Sequence, residues 1–421
     1  MSSPAWPNAR LGDVTESMKN GIYRPANVYA DDGIACLRMY NIEAGKIAWR
    51  DIKRMRLSIA ELADYRLLPG DILVNRVNSR ELVGKAAVIP DGLGPVVFES
   101  KNIRLRLDRQ RANPRFINYQ LLLNGARHFL WNAQQVVGMA SINQKQLADF
   151  PVVLLPLLDQ EHIVAEIEKQ FSRLDEAVAN LKRVKANLKR YRAAVLKAAV
   201  EGRLVADEFG VASGNNWPLK PIDVAIASMD QGWSPRCDRE SSDGLEAWGV
   251  IKTTAVQPLS FVQSENKRLP DELMPREHLE LAVGDVLVTR AGPRSRVGVA
   301  CLIRATRPRL ILCDKVYRLR ARADVAKSAF LELVLNAPHI VDALDVLKTG
   351  ISDSGVNLTQ KRFRELSIPI PPIEEQGRIV TEVERRLSMA DESEAQVDAN
   401  LLRAERLRQA ILKRAFGARL G

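Results

Sequence analysis

Apolar and polar positions alternate in short runs along two stretches of the chain: DILVNRV, KAAVIP and NIRLRL in the first, KVYRLR in the second. A period of two sends successive side chains to opposite faces, so these runs predict half-buried strands. FINYQLLLNGARHFL and FLELVLNAPHIVDAL carry apolar residues at helical spacing and predict helices between or after the strands. Each stretch is therefore expected to form a mixed α/β or α+β globule. From Gln160 the texture changes, and neither proline nor glycine occurs before Gly202. Ile167, Leu174, Leu181, Leu188 and Val195 recur every seven residues, with Phe171 and Val178 interleaved, which predicts a long helix with a coiled-coil seam. After Leu181 the interleaved stripe moves to Val184, Tyr191 and Ala198, a shift of the stammer type. A second helical stretch holds the same seven-residue register with Val383, Ala390, Val397, Ala404 and Ile411. Neither helix can bury its stripe alone. Large Leu174 and Leu188 correspond to small Ala390 and Ala404, so the two seams are expected to fill one another.

The shared register is part of a duplication. PGDILVNRVNSRELVGKAAVI (Pro69 to Ile89) matches VGDVLVTRAGPRSRVGVACLI (Val283 to Ile303) without a gap, at an offset of 214 residues. Gly70, Asp71, Leu73, Val74, Arg76, Val83, Gly84 and Ile89 all recur. SINQKQLADFPV then resembles GVNLTQKRFRELSI after two inserted residues, and from there PLLDQEHIV falls on PIEEQGRIV and LKAAVEGRL on LKRAFGARL at an offset of 216. Trp6-Pro7 and Trp217-Pro218 open the two halves. A repeat this long decides the architecture more firmly than local propensity. The first helix must carry the chain from one globule to the other and the second must return, which predicts an antiparallel pair with approximate two-fold symmetry. The short segment between Leu204 and Trp217 leaves little chain for a parallel return.

Charge adds an anionic partner as a possibility without demanding one: 62 Lys and Arg face 51 Asp and Glu, a net charge of +11. The cysteines Cys36, Cys237, Cys301 and Cys313 form no CxxC pair, so no zinc site is suggested. The opening MSSPAWPNARLGD lacks an apolar signal core, and the run Phe150 to Leu158 is short and interrupted by prolines. A soluble cytoplasmic protein with reduced thiols is expected.

Two phrases, each present twice and in the same order, carry a family likeness: GDILVNR and GDVLVTR inside the globules, and FPVVLLPLLDQEHIVAEIE and LSIPIPPIEEQGRIVTEVE at the joins to the helices. In these the chain resembles the specificity subunits of type I restriction-modification systems. The first joining phrase departs from the usual double proline and EQ by reading PLLDQ. The resemblance implies a first target recognition domain over 1–155, a central spacer helix over 156–208, a second recognition domain over 209–370 and a distal spacer helix over 371–421. Each recognition domain would read one half of a split site in double-stranded DNA, and the helices would fix the spacing. The likeness also implies two methyltransferase subunits as partners, carrying S-adenosylmethionine, and motor-nuclease subunits using ATP and magnesium; this chain itself would be non-catalytic and hold no cofactor. Consistent with that division, the sequence contains no GxxxxGK[ST] phosphate loop and no NPP[YF] or DPP[YF] amino-methyltransferase signature.

Within the repeat, Arg76 and Arg290 end matching strands and open polar loops, with Asn75, Asn78, Ser79 and Arg80 in one and Thr289, Arg294, Ser295 and Arg296 in the other. Arginine suits both phosphate oxygens and guanine edges, which makes these loops candidates for DNA contact. Pairing of Arg76 and Arg290 with a carboxylate such as Asp71 or Asp285 is the structural alternative. Gly70, Asp71, Gly284 and Asp285 fit tight bends rather than readers. Ahead of the joining phrases, GMASINQ and KTGISDSGVNLTQ offer Ser141, Asn143, Ser352 and Asn357 either to bases or to helix capping. Lys182, Arg183, Lys185, Lys189, Arg190 and Arg192 run along the central helix without an acid between them, which suits a solvated face, a phosphate-facing strip or a partner surface. Two rival functions remain: a metal-dependent nuclease built on Asp243, Glu265 and Lys267, and a scaffold with no sequence preference.

Overall fold

The structure is a computed structural model that describes residues 6–25, 29–132, 134–136, 139–204 and 217–417. Gly138 of the GMASINQ loop and the whole segment between Leu204 and Trp217 lie outside the described residues. Chain contacts divide the molecule into two compact units, Met1–Leu181 with Ala399–Gly421, and Lys182–Asp398.

The first unit is built on an antiparallel sheet in the order Thr15–Asn20, Asn102–Leu107, Ile72–Asn75, Ala86–Val88. The second has the same order with Ile226–Gln231, Val316–Ala321, Val286–Thr289 and Ala300–Leu302. The alternating runs thus form strands. Each helix read from the pattern is broken where its sequence requires. Pro338 cannot donate a backbone hydrogen bond and leaves Ala337 extended, which splits Ser328–Asn336 from Pro338–Leu347. In the first unit the corresponding stretch is Pro114–Gln120 and Ala126–Asn132 joined through a π turn at Leu121–Gly125.

Gly70 and Gly284 adopt φ of +84° and +95°, where a Cβ would be strained. The following aspartates complete the bends, Asp71 Oδ2 accepting from Leu68 N at 2.8 Å and Asp285 Oδ2 from Ala282 N at 2.9 Å. The repeated Gly-Asp is therefore a turn, as its chemistry suggests.

The glutamine of each joining phrase explains why that phrase recurs. Gln160 is fully buried, accepts from Asn113 N at 2.8 Å and donates to Arg111 O and Leu155 O. Gln376 is equally buried, accepts from Lys327 N at 2.8 Å and donates to Val325 O and Pro371 O. One amide side chain thus ties the start of a long helix to its globule, satisfying backbone groups that would be costly to bury unpaired.

The long helices span Leu157–Val200 and Ile373–Gly417. Inside the first unit the Arg408 guanidinium lies 4.4 Å from the Phe171 ring centroid and pairs with Asp175, and Phe416 packs at 5.3 Å on Phe116. Inside the second, Lys185 binds Asp398 at 2.6 Å and Arg192 binds Asp391 at 2.5 Å, so residue numbers rise on one helix as they fall on the other. The pairing is antiparallel. Ile167, Leu174, Val195, Val383, Ala390, Val397, Ala404 and Ile411 are buried, and Leu181 and Leu188 are half-buried. Full burial of a large aliphatic side chain contributes ~1.5–3 kcal/mol, so this seam is a principal source of helix pairing. The shifted stripe is corrected by the structure: Val184 and Tyr191 are exposed. Lys185 and Arg192 take the flank of the seam with their ion pairs, and the original heptad continues through Leu181 and Leu188.

Candidate nucleic-acid interface

In both units the arginine at the strand end is held by the same bonds. Arg76 N donates to Lys101 O at 2.8 Å, Arg76 Nη1 to Ser100 O at 3.2 Å, and Arg76 O accepts from Ile142 N at 2.9 Å. Arg290 N donates to Lys315 O at 2.8 Å, Arg290 Nη1 to Asp314 O at 2.9 Å, and Arg290 O accepts from Leu358 N at 2.8 Å. Neither guanidinium pairs with the carboxylate proposed as the structural alternative. Asp71 is taken by Arg106, with two bonds of 2.8 Å, and Asp285 by Arg320 at 3.1 Å. Arg76 and Arg290 are half-buried, and the Nε of each has no hydrogen-bond partner. The Arg290 guanidinium also lies 5.5 Å from the Tyr317 ring centroid. Burial pushes the Tyr317 phenol up, against the pull of Arg290, and its hydroxyl donates to Leu358 O at 2.9 Å.

The bond from Ile142 or Leu358 brings the second candidate cluster against the first. Val77–Asn78 pairs antiparallel with Met139–Ser141, setting Asn78 opposite Ala140 and Val77 opposite Ser141. Ala291–Gly292 pairs in the same way with Gly355–Asn357, setting Ala291 opposite Asn357. Segments roughly 60 residues apart in sequence thus form one surface, twice.

The individual side chains divide by what they bond. Asn75 is fully buried and donates to Asn102 Oδ1 at 3.1 Å, while Asn78 donates to Asn75 Oδ1 at 2.7 Å and accepts from Ser79 N at 2.8 Å. Thr289 is fully buried, donates to Arg296 O and accepts from Val299 N at 3.0 Å. These three shape the loops from within. Arg296 donates to Thr253 O at 2.7 Å and Val256 O at 2.8 Å. Arg294 binds Asp353 at 3.0 Å and Asp345 at 2.8 Å, and those carboxylates hold it charged. Asn143 caps the helix Gln144–Ala148 by accepting from Gln146 N at 2.8 Å, and Thr359 does the same for Gln360–Arg364. Arg80, Ser295, Ser352 and Asn357 are exposed; Ser79 and Ser141 are half-buried. Ser352 Oγ lies 2.9 Å from Ser354 Oγ.

Two residues beside the arginines escaped the motif reading. Lys101 and Lys315 are exposed and sit 214 positions apart, at the head of NIRLRL and VYRLR. Their recurrence at the repeat offset was the signal. Nothing in the described residues supports the nuclease grouping. Asp243 accepts from Leu245 N at 3.0 Å, Glu265 from Thr254 Oγ1 at 2.6 Å, and among the described residues no three His, Cys, Asp or Glu are grouped to hold a metal ion. Among the described residues no helix is long and apolar enough to cross a membrane.

No family model matches the chain. The chain is 38% identical over 183 residues to the specificity subunit of the type I restriction enzyme EcoEI of Escherichia coli, a match covering 44% of this chain and 31% of that one. With the StySPI specificity subunit of Salmonella potsdam it shares 24% identity over 436 residues, covering 99% of this chain and 89% of the relative. A structure solved in work on complex assembly and conformational transition of the type I R-M system superposes with a TM-score of 0.69 at 18% identity, covering 99% and 98% of the two chains. The HsdS subunit of Thermoanaerobacter tengcongensis gives 0.51 at 19% identity, covering 100% and 98%. With a duplicated mixed fold and antiparallel long helices, the chain is similar along nearly its whole length to the specificity subunits of type I restriction-modification systems.

Proposed function

We propose that each unit reads one half of a bipartite DNA target through the surface around Arg76 or Arg290, and that the chain performs no chemistry itself. The observation behind this reading is the recurrence of the arginine platform: the same three hydrogen bonds hold a basic side chain beside an exposed lysine and a polar hairpin in both units. Arginine presents a forked donor to guanine O6 and N7 or to phosphate, and Lys101 and Lys315 suit phosphate as point charges. Arg80, Ser295, Ser352 and Asn357 are the exposed polar neighbours available to base edges. Asn75, Asn78, Thr289 and Arg296 act behind them by fixing the loops.

The paired helices set the distance between half-sites and dock two methyltransferase subunits. S-adenosylmethionine belongs to those partners, and ATP and magnesium to motor-nuclease subunits. On the central helix, Lys185 and Arg192 are engaged with the returning helix, whereas Lys182, Arg183, Lys189 and Arg190 are exposed and form the strip that meets DNA or a partner.

Arg76→Ala and Arg290→Ala, each in the full chain assembled with its methyltransferase, test the reading on a randomised duplex library. A base contact predicts relaxed discrimination in one half-site per variant, worth ~1–3 kcal/mol. A phosphate contact predicts weaker binding to all sequences and a salt slope reduced by about one ion. Unchanged affinity and selectivity in both variants would remove these arginines from the interface.

A further inference from the structure

The platform that holds each arginine is itself held by a second loop, and there the two units diverge. Gly21 N donates to Asn102 O at 3.1 Å, Ile22 N to Phe98 O at 2.9 Å, and Ile22 O accepts from Ser100 N at 2.9 Å. In the second unit Trp233 N donates to Leu312 O at 3.0 Å, and Ser234 Oγ accepts from Asp314 N at 3.2 Å. The glycine is required in both places: a Cβ on Gly21 would collide with Glu99 O, and one on Gly232 with Leu312 O. Each loop is thus pressed onto the turn whose carbonyl, Ser100 O or Asp314 O, receives the arginine.

On this common scaffold the outward side chains are unlike. Tyr23 is 76% exposed, a large aromatic with its phenol in solvent, beside an Arg24 that pairs with Glu61. The second unit has an exposed Ser234 there, whose hydroxyl donates to Asp314 Oδ1 at 2.5 Å. Asp314 itself replaces Ser100 at the residue whose carbonyl binds the arginine. A carboxylate retains acceptor sites after one such bond.

We infer that these positions, Tyr23 with Ser100 in one unit and Ser234 with Asp314 in the other, are specificity-determining residues that make the two half-sites different. The inference rests on the DNA-reading proposal above. Where two copies of a fold press a loop onto the same turn, through Ile22 N to Phe98 O in one and Trp233 N to Leu312 O in the other, and change what that loop presents, the shared contact serves the scaffold and the difference serves recognition. The chemistry gives each position a direction. Asp314 accepts a hydrogen bond from a base amino group, that of cytosine or adenine, and rejects a base offering only acceptors. Tyr23 offers a hydroxyl that donates or accepts, and a ring edge for a thymine methyl.

The test uses the full chain assembled with its methyltransferase and a randomised duplex library, sequencing the bound fraction. Asp314→Asn replaces one carboxylate oxygen with an amide donor at constant shape and is expected to shift preference at one position of the second half-site by roughly ten-fold, leaving the first half-site unchanged. Tyr23→Ala is expected to alter one position of the first half-site only. Tyr23→Phe separates loss of the hydroxyl from loss of the ring. Wild-type preferences retained in all three variants would overturn this inference while leaving the arginine reading intact. A wild-type complex that selects no sequence would overturn both, and loss of preference in both halves from a single variant would overturn the assignment of one loop to each half-site.

Discussion

The two units share a fold and a network of backbone bonds, yet they bury different charges at equivalent positions. Arg318 is buried in the second unit and binds Asp230 Oδ2 with two bonds, of 2.7 and 3.0 Å. Its counterpart Arg104 is buried too, but the strand residue opposite it is Lys19, and its Nη1 reaches only the backbone oxygens of Arg66, at 3.1 Å, and Asp64, at 3.4 Å. Burial, with Arg106 nearby, lowers the Arg104 pKa. A second pair repeats the contrast. Glu332 is fully buried and receives Leu302 N at 2.7 Å and Arg304 at 2.8 Å, whereas Asn118 takes the matching place and donates to Gly45 O at 3.1 Å. The duplication therefore preserves geometry more strictly than charge. A buried cation is tolerated wherever carbonyls or a carboxylate solvate it, so either solution supports the same sheet.

The contrast can be broken on one side. Asp230→Ala should destabilise the second unit by about 2 kcal/mol, less than a fully enclosed pair would lose because Asp230 is 37% exposed and Arg318 keeps two backbone acceptors. Lys19→Ala in the first unit should cost under ~1 kcal/mol, since its pair with Asp64 lies at the surface. Hydrogen exchange resolved along the chain measures both, and equal losses would mean that the carboxylate does not carry the difference.

Acid should sharpen the comparison with a smaller effect. The pairing in the second unit sets Asp391, Glu394 and Asp398 against Lys185 and Arg192, while that in the first sets Asp175 against Lys46 and Arg408. Arg192, and then Lys185, hold the Glu394 carboxyl below its ordinary range. A lowered folded-state pKa contributes stability above the unfolded value, near 4.3, and loses it as pH falls through the folded value. Below about pH 4, exchange should therefore rise more at 182–192 and 391–398 than at 167–175 and 404–411. Uniform protection in both stretches down to pH 3 would contradict the ion-pair account.

What the sequence made legible follows from which interactions have a periodic or repeated signature. The seam at Ile167 and Val383 repeats every seven residues, and Arg76 with Arg290 sits inside a duplicated phrase, so both were visible without coordinates. Hydrogen-bond direction has no such signature. Asn75, Thr289 and Arg296 look like loop polar residues open to a ligand, and only the fold shows that their partners are Asn102, Val299 and the carbonyls of Thr253 and Val256. The stripe through Val184 and Tyr191 misled because apolar spacing does not say which flank the ions occupy. The loops after Gly21 and Gly232 went unnoticed because they align at an offset of 211, three residues short of the offset that joins the GD phrases.

The central claim, one reader per unit, is tested most directly by making the two readers the same. Asn8–Arg10 pairs with Pro151–Val153, and Leu219–Pro221 with Ser367–Pro369, so both mixed folds open and close on equivalent strand pairs. Residues 8–153 can therefore replace residues 219–369 without moving either long helix start. Sequencing of DNA methylated by the exchanged chain with its methyltransferase should show the first half-site's bases in both halves and none of the second's. Persistence of the original two-part target, or retention of the second half-site's bases, would contradict the account.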